Sequence, residues 1–172
     1  MQIGGSIGHM SIELASKYPD LKCIVQDFPD LEGQFNASIP AELKSRVSFQ
    51  GHSFFNPQPV KGADIYFLKW ILHDWSDKYC RKIISQILPV MKPTSRIIVM
   101  DLVVPPRGVL PWLAERSITS IDMQMLVACW AKERTAEDWS ELFSSVDKRL
   151  KVKSAKTTPG ANLGLVEVVL EG

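Results

Sequence analysis

Apolar residues along this chain fall into two alternating patterns, short continuous runs and stretches in which they recur every three or four positions. The runs Met1 to Ile3, Leu21 to Gln26, Val47 to Gln50, Asp64 to Leu72, Arg96 to Val104, Leu150 to Ala155 and Gly164 to Leu170 read as strands, the last two as a closing pair. Between them, Leu14 and Tyr18 stand at i, i+4, and Tyr79, Ile83, Ile84, Ile87 and Leu88 repeat at helical spacing. Ser76 or Asp74 can cap that second helix. Thr135-Ala-Glu-Asp138 has the form of a capping box ahead of Trp139, Leu142 and Phe143, so a helix should begin just after Glu133. Pro105 to Pro111 marks a loop. After it, Ser117 to Trp130 places Ile118, Ile121, Met125 and Leu126 where they can face a core, a substrate cavity or a partner subunit. Strands alternating with helices argue an α/β sheet, and with no repeat, low-complexity tract or long linker the chain reads as one domain, 1–172.

Composition narrows the partners. The 172 residues are 45% hydrophobic and 23% charged, ordinary values for a globular domain able to bury a core. Twenty Lys and Arg against nineteen Asp and Glu leave a formal charge of +1, and the basic residues are scattered, so no footprint for nucleic acid is present. Cys23, Cys80 and Cys129 have neither disulfide-framework nor zinc-ligand spacing and read as three buried thiols in a reducing compartment. No apolar run reaches the roughly 20 residues of a membrane span, and the first residues lack the charged and apolar regions of a signal peptide, so the expected location is the cytoplasm, away from membranes.

Two constellations carry candidate chemistry. Gly4-Gly-Ser-Ile-Gly8 follows the first strand, where glycines let backbone approach a ligand and helix N–H groups point at it. Asp27 closes the second strand and can accept bidentate hydrogen bonds from a ribose, a layout that suits an adenosyl cofactor. The nicotinamide fingerprint, glycine at i, i+2 and i+5, fails at its first position, leaving NAD a weak alternative; a plain strand-to-helix turn with an aspartate nearby is the other. The second constellation centres on His73, at the end of the run Leu68-Lys-Trp-Ile-Leu-His-Asp-Trp75. An imidazole there is mostly a free base at neutral pH, able to deprotonate a hydroxyl. Asp101 ends the fifth strand on the same carboxyl edge, and Glu133 precedes a helix; either can accept from one ring nitrogen and fix the tautomer. The bland alternative makes His73 a satisfied strand-end histidine, Asp74 a helix cap and Asp101 a solvated turn residue. His9 and His52 form no metal-ligand pattern, and no nucleophile-elbow or cysteine nucleophile motif is present, so neither a metal nor an acyl-enzyme is expected. Lys69, Trp70 and Trp75 flank the base; the tryptophans, like Met100, Met123 and Met125, can pack either a core or a bound ring.

Gly4-Gly-Ser-Ile-Gly-His9, Val25-Gln-Asp-Phe-Pro29, Gly62 to Ser76 with its Leu-His-Asp-Trp centre, Ile98-Val-Met-Asp101 and Lys132-Glu-Arg-Thr135 together resemble the successive motifs of S-adenosylmethionine-dependent O-methyltransferases of the caffeate and sterigmatocystin type, with a fungal flavour. The resemblance spans essentially the whole chain and aligns it with the family's C-terminal catalytic domain. It implies a Rossmann-like class I methyltransferase sheet, mostly parallel, with an antiparallel C-terminal hairpin and a truncated first strand. By position it implies that Gly4 and Gly5 approach the methionine part of S-adenosylmethionine, Asp27 and Phe28 the ribose end, Ser53 and Phe54 the adenine, and that Lys69 lies near the cofactor. His73 would be the general base, flanked by Asp101 and Glu133, and the reaction a methyl transfer to a hydroxyl of a small aromatic or polyketide-like secondary metabolite. The family's helical dimerisation domain has no counterpart here, which would leave the substrate pocket half open. Gln2 stands where the family's first strand is acidic, and Gly51-His-Ser53 where an Asp often holds the adenine amino group, so weaker cofactor binding is expected. A methyltransferase-like protein that does not methylate, either a partner subunit or a catalyst of a pericyclic or dehydrative step, is the alternative. Ser117 to Trp130 would serve a homodimer or heteromeric contact.

Overall fold

The computed structural model describes residues 1–157 and 163–172. Its nine strands and five α-helices run β1 (Gln2–Ile3), α1 (His9–Lys17), β2 (Cys23–Asp27), α2 (Glu32–Ser38), β3 (Val47–Gly51), β4 (Ile65–Lys69), α3 (Asp77–Ile87), β5 (Arg96–Met100), β6 (Val103–Val104), α4 (Trp112–Cys129), β7 (Arg134–Thr135), α5 (Ala136–Val146), β8 (Leu150–Thr157) and β9 (Gly164–Leu170). Seven strands form one sheet in the order β3-β2-β1-β4-β5-β9-β8. The first five of these are parallel, and β9 runs antiparallel to both of its neighbours, β5 and β8, as the resemblance implied.

Burial explains the strand patterns. In β5 the pleat buries Ile97 and Val99, and in β4 Tyr66 and Leu68, while alternate residues face outward. One cluster gathers these with Ile83, Ile84 and Ile87 of α3 and Trp139, Leu142 and Phe143 of α5; a second joins Ala15, Val25, Phe35 and Val47. The capping box of α5 is formed: Thr135 accepts from the Asp138 N–H through its Oγ1, and the Asp138 carboxylate accepts from the Thr135 N–H. Ser76 sits at the N-cap of α3 without a side-chain bond.

Two strand expectations need correction. The fourth strand stops at Lys69: Trp70 turns into a left-handed backbone (φ 55), and Leu72–Asp74 form a 3-10 turn, so His73 rides on a turn beyond the sheet. The fifth stops at Met100, and Val103–Val104 leave the sheet to pair with Arg134–Thr135 in a separate two-stranded ladder. Sequence periodicity missed both because apolar residues continue past each strand; beyond β4 the Trp70 N–H donates to the Asp101 carboxylate, and beyond β5 Val103–Val104 pair with a different strand. The stretch Ser117 to Trp130 falls in α4, which starts at Trp112 and buries no residue fully. Its Ile118, Ile121 and Met125 are half-buried, while Trp112, Leu113, Met123, Leu126 and Val127 are exposed. The seven-residue α2, too short to show periodicity, was not foreseen.

Candidate functional site

Because β1 to β5 are parallel, the residues that follow them share the carboxyl edge of the sheet. The strand order reverses between β1 and β4, which opens the crevice where α/β sheets bind ligands. The glycine loop leaves β1 there. Gly4 is left-handed (φ 64) and lies against Ile71 and Phe54, whose side chains a Cβ at this position would strike or touch. The loop is fastened across the sheet: Gly5 N–H donates to Gln26 O at 3.0 Å, and Ser6 N–H to Asp27 Oδ2 at 2.7 Å. The other oxygen of Asp27 accepts from Phe28 N–H at 2.8 Å. Each carboxylate oxygen keeps a lone pair for a further donor. Phe28 is 58% exposed beside it.

Beyond β3, the Ser53 hydroxyl has only a long 3.5 Å approach from Phe55 N–H and so remains free to bond elsewhere. Phe54 packs edge-on to Phe55 (4.9 Å) and Trp75 (6.0 Å). His52 Nε2 is buried without a partner, and burial lowers that imidazole's pKa. Lys69 ends β4 half-buried, with no ion-pair partner among the described residues. Gly4, Asp27, Phe28, Ser53, Phe54 and Lys69 thus line one edge, and Gly5 lies buried beneath it with Val25 and Gln2 against its Cα. A carboxylate with free lone pairs, a free hydroxyl, aromatic faces and backbone at a glycine turn is a donor and acceptor set that fits an adenosyl cofactor.

The three residues assigned to proton chemistry come together a few residues away. His73 Nδ1 lies 3.1 Å from Glu133 Oε1, and Nε2 lies 3.4 Å from Asp74 Oδ1. Glu133 reaches the ring from the segment between α4 and β7, where Trp130 takes a second left-handed backbone (φ 52) and Glu133 N–H donates to Asp122 at 2.8 Å. The Glu133 carboxylate is buried, and Oε2 has no partner among the described residues. A buried carboxylate against Nδ1 holds a proton there and leaves Nε2 as the accepting nitrogen.

Asp101 behaves differently from the expectation that either carboxylate would meet the ring. It is fully buried, so the solvated-turn alternative fails, and its oxygens accept from backbone: Trp70 N–H at 2.8 Å and His73 N–H at 3.2 Å. Asp101 therefore holds the turn, and Glu133 holds the ring. Asp74, half-buried, faces Nε2 rather than capping a helix. The Trp70 ring stands 4.7 Å from the imidazole. Cys129 is only half-buried, contrary to expectation, and its Sγ lies 3.9 Å from Asp74; Cys23 and Cys80 are buried.

These positions set the titration. Burial works against a charge on His73, but the Glu133 hydrogen bond and the charges of Asp101, Asp74 and Glu133 outweigh it and raise the imidazole pKa. Burial pushes the Asp101 carboxyl up to about 6 against the opposing pull of His73 and the two backbone donors. Both folded groups bind protons more tightly than their unfolded counterparts. The stability from Asp101 is therefore full below about pH 4, its unfolded value, and is lost as pH rises to about 6. That from His73 is lost as pH rises through its raised value. The lowered imidazole pKa of His52 works the other way, so the expected result is a difference: the wild type loses melting temperature relative to Asp101→Asn as pH rises from about 4 to about 6. A difference that moves in the wild type's favour over this range would contradict the assignment.

A cavity of about 560 Å³ lies between α4 and the β6–β7 ladder, with Val104, Arg107, Ile118, Asp122 and Glu133 among its walls. The sequence reading missed Arg134, whose guanidinium is fully buried behind the turn. Its only local signal was an arginine next to Glu133 in a capping-box motif.

A family model described as "O-methyltransferase domain" matches residues 1–147. Among curated relatives, the chain is 42% identical to "O-methyltransferase aoiF" of Aspergillus oryzae over 98% of its own length and 41% of that protein. It is also 42% identical to "Grayanic acid biosynthesis cluster O-methyltransferase" of Cladonia grayi, over 98% of itself and 38% of the relative. Among solved structures, "The structure of LepI complex with SAM" superposes with a TM-score of 0.85 at 32% identity, covering 99% of this chain and 42% of that one. The chain thus spans about two fifths of the length of the relatives it matches.

Proposed function

The chain belongs to the O-methyltransferase domain family, and from that premise we propose that it is the catalytic part of an S-adenosylmethionine-dependent O-methyltransferase of fungal secondary metabolism, acting on a hydroxyl of a small aromatic or polyketide-like metabolite. The observation that carries the reading is the buried Glu133–His73 pair, which leaves Nε2, 3.4 Å from Asp74 Oδ1, as the accepting nitrogen at the same sheet edge as the glycine loop and Asp27. Asp27 and Phe28 would hold the ribose end of the cofactor, Ser53 and Phe54 the adenine, and Gly4, Gly5 and Lys69 the methionine end. Bound there, S-adenosylmethionine supplies an electrophilic methyl group.

The chain's own residues do the rest. His73 takes the hydroxyl proton at Nε2, and Glu133 stabilises the imidazolium that forms. Asp101 keeps the turn in place. Positioning of two reactants is the larger contribution in a reaction of this kind. The exposed apolar residues of α4 support a protein contact along that helix, with a second copy or a heteromeric partner. No helix among the described residues is long and apolar enough to cross a membrane, and a cytoplasmic location is part of the reading.

The test is calorimetric titration with S-adenosylmethionine and S-adenosylhomocysteine, then a methyl-transfer assay against phenolic and polyketide hydroxyls, with light scattering on the same preparation reading the α4 contact. Micromolar binding followed by methylated product is the expected result. Binding with no transfer to any hydroxyl would favour the methyltransferase-like protein of other chemistry. No binding at millimolar ligand would remove the cofactor assignment.

A further inference from the structure

Arg134 is fully buried, and desolvating a guanidinium is costly unless its donors are all used. Here they converge on the segment that carries the base. Nη1 donates to Leu72 O at 2.9 Å and Nη2 to Trp75 O at 2.9 Å, the two carbonyls on either side of His73. Nε and Nη2 donate to Asp77 Oδ1 at 3.1 and 2.8 Å, and Nη2 lies 3.3 Å from Cys80 Sγ. The guanidinium also stands 5.2 Å from the Trp139 ring, inside the core. Cys80 cannot serve as the counter-charge, because burial keeps it a thiol with a pKa raised to about 11. That role falls to Asp77, at the first turn of α3.

A left-handed tryptophan costs free energy and persists only where its surroundings over-determine it. Asp101 grips the Trp70–His73 turn by its N–H groups. Its Leu72 and Trp75 carbonyls are held from outside the turn by Arg134 and by the Cys80 thiol, which lies 3.2 Å from each of the same two oxygens, while Leu72 O also accepts Trp75 N–H within the turn at 3.3 Å. Arg134 is also the residue next to Glu133, so one short segment fixes both the backbone and the ring of His73.

We propose that Arg134 is a positioning residue for the proton-accepting histidine: its planar fork sets the height and tilt of the 72–75 turn and so the alignment of the imidazole with Glu133. The inference rests on His73 as the base, and its test does not depend on methyl transfer. The chain has three histidines, so the His73 ring can be titrated by NMR in the whole protein and told apart from His9 and His52. Glu133 and Asp74 face that ring, and the charge of Asp101 acts on it from behind the backbone. Arg134→Lys keeps the positive charge but cannot reach both carbonyls and Asp77 in the same plane, so a moved titration reads geometry rather than lost charge.

The expected result is a His73 pKa that falls from its raised value toward that of an ordinary histidine, with kcat lower by about one to two orders of magnitude and the KM for cofactor unchanged. A folded Arg134→Lys protein that melts earlier but titrates His73 as the wild type does would show a structural role only and overturn the proposal. Should that variant fail to fold, Asp77→Glu, which keeps the charge and moves the carboxylate by one methylene, decides by the same titration: a fall in the His73 pKa supports the proposal and an unchanged value overturns it. If no hydroxyl is ever methylated, the function reading falls while the titration still decides this one.

Discussion

Replacing His73 by asparagine lowers the rate of methyl transfer by about 10²- to 10⁴-fold, the contribution of a positioned general base, and leaves cofactor affinity at its wild-type value. Asparagine is the informative substitution because its side-chain N–H can stand in for Nδ1 toward Glu133, which lies 3.1 Å away and is otherwise left as an uncompensated buried carboxylate. What asparagine cannot supply is a basic nitrogen on the far side. Steady-state kinetics should therefore show the loss in kcat, and the acid limb of the pH–rate profile should vanish with it. Activity within a few-fold of wild type would assign the proton to another group, with Asp74, 3.4 Å from Nε2, the next to test.

Asp27→Ala is expected to weaken S-adenosylmethionine binding by more than about a hundredfold. Two hydrogen bonds from a ribose diol to an ionised carboxylate are together worth about 3 kcal/mol or more, and each 1.4 kcal/mol is tenfold in Kd. The carboxylate also holds Ser6 N–H at 2.7 Å, so its removal frees the glycine loop that the methionine end of the cofactor would meet. Asp27→Asn retains one acceptor oxygen and should fall between wild type and alanine. Calorimetric titration measures all three. An alanine variant that binds as tightly as wild type would show that the ribose lies elsewhere.

Much of this architecture could be read from residue order. The apolar runs placed all seven strands of the main sheet, the helical spacing placed α1, α3 and α5, and Thr135 to Asp138 fixed where α5 starts, because these signals depend on neighbours a few residues apart. The motif residues Gly4, Asp27, His73 and Asp101 were visible for the same reason: each follows or ends a strand, and parallel strands bring such ends to one edge, while Glu133 was visible beside the capping box that opens α5. The errors came where an apolar run continued past its strand, at Trp70 to Leu72 and at Val103–Val104, since hydropathy registers neither a left-handed residue nor a change of strand partner.

The sequence by itself determined the alternation of strands and helices, the α/β class and the identity of the groups at the carboxyl edge, all consequences of local periodicity and strand direction. Only the tertiary structure decided that Glu133, 60 residues from His73, takes the ring while Asp101, 28 residues away, takes its backbone, and that Arg134 is buried on the carbonyls of the same turn. Those pairings depend on how β4, β5 and the β6–β7 ladder register against one another and on two left-handed tryptophans that redirect the chain. Contacts between distant segments are set by packing of the whole, and no spacing along the chain encodes which of two carboxylates reaches the ring.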